Sequence, residues 1–398
     1  TYRIFSRAFY NFVFPDEIVR PLPSQQNKID DIYKDSKKKK VSVTENLLDD
    51  LKIKTMDPET EKTTTLSDSS YSERIYNALS ELQENANKFL TIDALKTYSP
   101  KFREILKRCN DNRRVGIHLI YSQFRTLEGI GILGLILKQN GWAEFKISKT
   151  SAGLWKINMN RDDLEKPCFA LYTGTEDEEE KEIIRNILNS NWDYIPQTIK
   201  KQLNENGFMN NYMGEVIKCM MITSSGAEGI DLKNVRYVHI VEPYWHPVRK
   251  QQVIGRARRI CSHKDLPKKY QTVTVYLYIT VFSKIQLEGD PKEKDPKKRK
   301  TKLSNELFNK DVSKITNNPI TTDEALLEIS NRKENINKEI LYELKTTAID
   351  CAIFADGRSR EKLLCYNFGS NDPNKIASLP NIMDDDRDDI NKVNIKKI

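Results

Sequence analysis

Apolar positions along the chain fall into two rhythms. Short runs rich in aliphatic residues, Val216–Ile222 and Val235–Val241, each end at turn chemistry, the pattern of strands covered on both faces. Residues 113–124, 168–174 and 272–282 read the same way. Between these runs the apolar spacing changes to three and four. Residues 126–142 read as an amphipathic helix closed by Gly141. Residues 176–190 read as a helix with its acids in the first turn, where the helix dipole favours them. Strands alternating with helices predict an α/β fold, a mostly parallel sheet flanked by helices. Outside that span, 71–109 has helical spacing. Thr321 and Glu324 are spaced as a capping box, and Leu326, Ile329, Ile336, Ile340, Leu344 and Ala348 follow at helical intervals. Residues 5–23, dense in aromatics and ending in prolines, read as an extended strip pinned on the core.

One helix carries an unusual mixture. In QQVIGRARRICSHK (251–264), Gln252, Gly255, Arg256 and Arg259 share a helical stripe, and Val253, Ala257 and Ile260 form the apolar stripe beside it. Pro247 suits a first helical position. Glycine costs a helix interior about 1 kcal/mol relative to alanine. Gly255 amid the polar row therefore implies a ligand or a backbone in close approach. Forked guanidinium groups suit phosphate. Ahead of the helix, the loop after Val216–Ile222 holds Thr223-Ser224-Ser225-Gly226 and then Gly229-Ile230-Asp231. Parallel α/β folds bind ligands in such loops, and glycines with small hydroxyl residues expose N–H groups to phosphate. Both arginines are expected to face a cleft rather than carboxylates of the interior.

Thr223…Gly229-Ile230-Asp231 followed by Gln252-x-x-Gly255-Arg256-x-x-Arg259 resembles motifs V and VI of superfamily 2 helicases and translocases. The stretch EPYWHP…QQVIGRARR is most similar to the Snf2-like branch. YRIFSRAFYNFVFP, GRARRICSHKDLP and ISNRKENINKEILYELKTTAIDC resemble helicases of large cytoplasmic DNA viruses. That group includes the poxvirus early transcription factor small subunit and nucleoside triphosphatase I. The resemblance implies the second of two RecA-like lobes, with a helical C-terminal extension. It implies Arg259 as an arginine finger on the γ-phosphate, with Arg256 beside it. Gln252 and Gly255 would border the nucleotide. Gly229 and Asp231 would couple it to nucleic acid, Asp231 at the ribose. Thr223 and Ser224 would touch the nucleic-acid backbone, as would Tyr121, Ser122 and Gln123 at the end of a strand resembling motif IV. Glu228 departs from the family pattern, where an arginine or a small residue is common. The implied cofactors are ATP and Mg2+, held mainly by the first lobe. The implied partners are nucleic acid (DNA ahead of RNA), the N-terminal lobe, and transcription-factor or RNA polymerase subunits. The implied location is intracellular, and for a viral protein the host cytoplasm and the virion.

A motor of this class needs a G-x-x-x-x-G-K-[ST] phosphate loop and a magnesium-holding acidic strand end. No Gly-Lys pair occurs, and the Asp-Glu pairs at 16, 177 and 323 follow no apolar strand. The chain opens on Thr1 rather than methionine. It is expected to be a C-terminal portion, inactive toward ATP alone. A reading from another class is a promoter-binding or transcription-initiation subunit with a helicase-like fold and no motor.

The net charge of +8 is unevenly spread: KDSKKKK (34–40) lies in a Ser/Thr/Asp/Lys-rich stretch, and GDPKEKDPKKRK occupies 289–300. The expected layout is an interlobe connector (1–23), a flexible charged insertion (24–70) and a helical segment (71–110). A RecA-like domain (111–286), a basic linker (287–302) and a helical extension (303–398) follow. No run approaches a membrane span. The six cysteines show no C-x-x-C spacing and read as reduced thiols, two of them inside predicted strands. Cys261 and His263 read as a helix-end turn, and no metal ligands are assigned.

Overall fold

The computed structural model describes residues 4–21, 71–173, 177–224, 229–288 and 320–348, with isolated positions 351, 363 and 365. The expected insertion at 24–70 and nearly all of the basic linker lie outside the described residues, as does Glu228. The strands are β1 (Ile117–Tyr121), β2 (Ala143–Glu144), β3 (Ile147–Lys149), β4 (Trp155–Ile157), β5 (Cys168–Tyr172), β6 (Cys219–Ile222), β7 (Val235–Ile240) and β8 (Thr274–Leu277). Six of them form one sheet in the order β2-β5-β6-β1-β7-β8, with every pairing parallel. β3 and β4 form a separate antiparallel pair. The expected α/β arrangement, a mostly parallel sheet flanked by helices, is borne out.

The principal helices are α1 (Ile4–Asn11), α2 (Tyr71–Glu84), α3 (Pro100–Asn110), α4 (Ile130–Gln139), α5 (Glu178–Leu188), α6 (Gln197–Glu205), α7 (Pro247–Ala257) and α8 (Thr322–Thr346). Successive strand residues face opposite sides of the sheet, and the core divides accordingly. Leu119, Met220, Val238 and Ile240 pack with Ile183 and Ile187 of α5, Ile199 of α6 and Val253 of α7. Ile120, Met221 and Phe169 pack with Phe102 and Ile105 of α3 and Leu133 of α4. Buried on both faces, β1, β6 and β7 read as apolar runs without alternation.

Contacts divide the chain into two units, residues 1–244 with 248–327, and residues 245–247 with 328–398. The first contains the sheet. In the second, Lys333 lies 3.9 Å from the centre of the Trp245 ring, and Cys351 is disulfide-bonded to Cys365. That bond corrects the expectation of reduced thiols throughout. Its two cysteines lie outside the strand pattern on which the expectation was built.

Three other expectations are corrected. Residues 4–11 are helical rather than extended, because Ala8 and Phe12 lie four apart and both face the core. The helical stretch 71–109 is broken, with α3 started afresh by Ser99, whose hydroxyl accepts from Phe102 N, and by Pro100 in the first turn. Finally, α7 ends at Ala257, so Arg259 sits in the turn beyond it. Val253 and Ala257 are buried as expected, but Ile260 is 97% exposed. The chain reverses there through Cys261 at φ 59°, and Ile260 is carried off the helical stripe. The capping box forms: Thr321 N–H donates to Glu324 Oε2 (2.8 Å) and Glu324 N–H to Thr321 Oγ1 (3.1 Å). Among the described residues no helix is long and apolar enough to cross a membrane.

Candidate functional site

The site lies where β6 and β7 of a parallel sheet expose their carboxyl ends, beside α7. Beyond β6, Thr223 is buried and Ser224 half-buried. Gly229 adopts φ 72°, a left-handed conformation that glycine takes without strain. Ile230 then plugs the core, which fixes where its carbonyl and the next carboxylate point. Arg256 Nη1 and Arg259 Nη2 both reach the Ile230 carbonyl oxygen, each at 3.4 Å. The Arg259 guanidinium also pairs with the Asp231 carboxylate, whose side chain is 70% exposed. The arginines thus converge on the glycine–aspartate loop at the protein surface, not on carboxylates of the interior. Arg256 Nε is buried with no hydrogen-bond partner among the described residues, a donor left open at the same place.

Gln252 is exposed on the outer face of α7. One turn along, a Cβ added at Gly255 would meet no atom within 4 Å. Nothing among the described residues needs that position to be small, so the glycine leaves free space beside Arg256. Cys261 and His263 form the expected turn: Ser262 Oγ lies 2.8 Å from His263 Nδ1, and His263 Nε2 2.8 Å from the Val235 carbonyl.

Tyr121, Ser122 and Gln123 are placed differently from an exposed strand-end contact. Tyr121 and Ser122 are buried. The Ser122 hydroxyl donates to Glu242 Oε1 at 2.6 Å and Gln123 N–H to Glu242 Oε2 at 3.0 Å. Arg7 of α1 donates to the Gln123 side-chain oxygen. Glu242, 0% exposed, is therefore the hub that shapes the end of β1. It also accepts from Asn11 Nδ2 at 2.5 Å. Burial pushes its carboxyl above the usual range, opposed by Ser122, the Gln123 amide, Lys101 and Arg7. Lys101 in turn donates to Asn11 Oδ1 at 3.3 Å and to Asp323 Oδ2 at 2.5 Å. Sequence reasoning missed Glu242, Lys101, Asn11 and Asp323. Its one available signal was an acid immediately after the apolar run 235–241.

Residues 168–261 match the helicase conserved C-terminal domain, a span that holds β5, β6, β7 and α7 with both arginines. Over this span and beyond, the chain is similar to proteins of large DNA viruses that are named as helicases or termination factors. An Acanthamoeba polyphaga mimivirus protein named as an inferred ATP-dependent RNA helicase, R563, is 31% identical over 204 residues, 50% of this chain and 29% of the relative. A second mimivirus protein so named, R350, is 26% identical over 273 residues, covering 68% and 26%. The termination factor NPH-I homolog of African swine fever virus (isolate Pig/Kenya/KEN-50/1950) is 30% identical over 267 residues, covering 65% and 33%. The chain thus spans a third or less of the length of these relatives.

Proposed function

We propose that this chain is the second RecA-like lobe, with its helical extension, of an ATP-dependent nucleic-acid translocase or helicase acting in viral transcription. The observation that carries the proposal is the convergence of Arg256 and Arg259 on the Ile230–Asp231 loop, within the matched domain. ATP and Mg2+ are held mainly by a preceding lobe. When the lobes close, Arg259 leaves Asp231 for the γ-phosphate and stabilises charge in the transition state, with Arg256 alongside. Gln252 and the free space at Gly255 border the nucleotide, and Asp231 is released toward the ribose. Gly229 lets the loop turn so that this exchange registers at Thr223 and Ser224, which lie with Gln123 along the nucleic-acid track. Tyr121 and Ser122 act from beneath by setting the end of β1.

The track is DNA, and transcription-factor or polymerase subunits are the protein partners, in host cytoplasm and virion. The African swine fever virus relative, named a termination factor, supports the setting. The mimivirus relatives are named RNA helicases, so RNA is an arm of the test. Steady-state ATP hydrolysis by the full-length protein is measured alone, with duplex DNA and with single-stranded RNA. Stimulation by DNA above RNA is expected. An ATPase indifferent to both, or no ATPase at all, would overturn the motor and favour a promoter-binding subunit.

A further inference from the structure

On the sheet face covered by α3, two imidazoles and a thiol from three elements meet in the dry interior. His118 on β1, His239 on β7 and Cys109 on α3 are all fully buried. His118 Nδ1 lies 2.9 Å from His239 Nε2 and 3.7 Å from Cys109 Sγ, and the three donor atoms all lie within 4.8 Å of one another. Cys219 is paired with His118 across β6 and β1, so its side chain shares their face.

We propose that Cys109, His118, His239 and Cys219 form a buried structural zinc site. Zinc in closed structural sites takes four nitrogen and thiolate ligands in a tetrahedron. Its ordinary bond lengths set ligand separations of about 3.6 Å for sulfur to nitrogen and about 3.3 Å for nitrogen to nitrogen. The observed 3.7 Å already meets the first. The observed 2.9 Å requires the two rings to part by only about 0.4 Å to meet that geometry.

Charge and orientation point the same way. Two thiolates cancel the charge of Zn2+, so the loaded site is neutral and suits an interior that would not tolerate a lone ion. Loading releases the two thiol protons to solvent. His239 is fully buried. Its outer nitrogen, Nδ1, lies 2.8 Å from Tyr278 Oη, the outer-shell contact that fixes tautomer and ring direction at metal-bound histidines. His118 is stacked on Tyr237 with ring centres 4.7 Å apart. Its Nε2 is buried with no hydrogen-bond partner among the described residues, so the ring is aimed by what its Nδ1 faces. The ligands are scattered between residues 109 and 239, and only the β6–β1–β7 pairing gathers them. That is why cysteine spacing did not reveal them.

The full 398-residue chain is expressed with added Zn2+ and dialysed against a weak chelator. Its metal content is then measured by mass spectrometry. The stripped protein is titrated with Co2+ as a spectroscopic probe. One equivalent of zinc, a thiolate-to-cobalt charge-transfer band and a thermal midpoint raised by Zn2+ are expected. Cys109→Ser and Cys219→Ser should each weaken zinc binding at least tenfold, while Cys261→Ser leaves it unchanged. The wild-type measurements decide the matter even where a serine variant does not fold. A folded wild-type chain without zinc, unmoved by added Zn2+ and without the cobalt band, would overturn the proposal. So would a full equivalent retained by Cys109→Ser.

Discussion

Lys101 and Asp323 form an ion pair with side chains 5% and 0% exposed, and its disruption has a size that can be worked out. Lys101→Met leaves the Asp323 carboxylate in the interior with the Thr280 N–H at 3.0 Å in place of a cation at 2.5 Å. It also takes the Lys101 ammonium from Asn11 Oδ1, the residue that itself binds Glu242. Removing one partner of a buried pair costs about 3–5 kcal/mol, because the remaining charge is uncompensated. In a domain this large each kcal/mol lowers the thermal midpoint by roughly 2 °C, so a fall of roughly 6–10 °C is expected. The double variant Lys101→Met/Asp323→Leu has no stranded charge. It loses the acid in the first turn of α8, worth about 0.3–1 kcal/mol, and orphans the Thr280 amide, at about 1–3 kcal/mol. Urea unfolding of the four proteins of this cycle gives the coupling directly. A coupling of at least about 2 kcal/mol is expected. Single variants within about 1 kcal/mol of wild type, with no coupling, would refute the claim that this pair ties the start of α8 to α3.

Gly255→Ala fills open space in a helix, so it should stabilise the chain by about 0.5–1 kcal/mol in thermal unfolding while lowering ATP hydrolysis in the full-length protein. A gain in both would remove the ligand from that position. Glu242, raised by burial above its ordinary 4.5, binds its proton more tightly folded than unfolded. Its contribution is therefore fully present below the unfolded pKa and is lost as pH rises through the folded value. Glu242→Gln should flatten that fall in urea titrations begun near pH 4.5, and an unchanged pH profile would contradict the assignment. Thiol titration of the chain unfolded without reductant should find the four free cysteines 109, 168, 219 and 261 and six after reduction. Six before reduction would contradict the Cys351–Cys365 bond.

The parts of this molecule legible in the sequence are those where local pattern and tertiary demand agree. The runs at 117–121, 219–222 and 235–240 are strands because both faces of the sheet are covered, and Gln252, Gly255 and Arg256 share a helical face because α7 spans them. The stripe failed at Ile260, where a single left-handed residue, Cys261, turned the chain off the helical period. The site's outer half was legible for a different reason: Gly229, Asp231 and the arginines are set by local loop and helix geometry. Its foundation was hidden. Glu242, Asn11, Lys101 and Asp323 are spread over more than three hundred positions and become neighbours only through packing. No one-dimensional period encodes that. Buried polar residues look like surface residues until their partners are known.

The central claim is that Arg259 acts on a nucleotide, and Arg259→Ala in the full-length protein tests it most directly. Loss of an arginine finger costs about 10³–10⁵ in kcat. A fall of that order in ATP hydrolysis, with DNA affinity unchanged, is predicted. Hydrolysis at a near wild-type rate would contradict it.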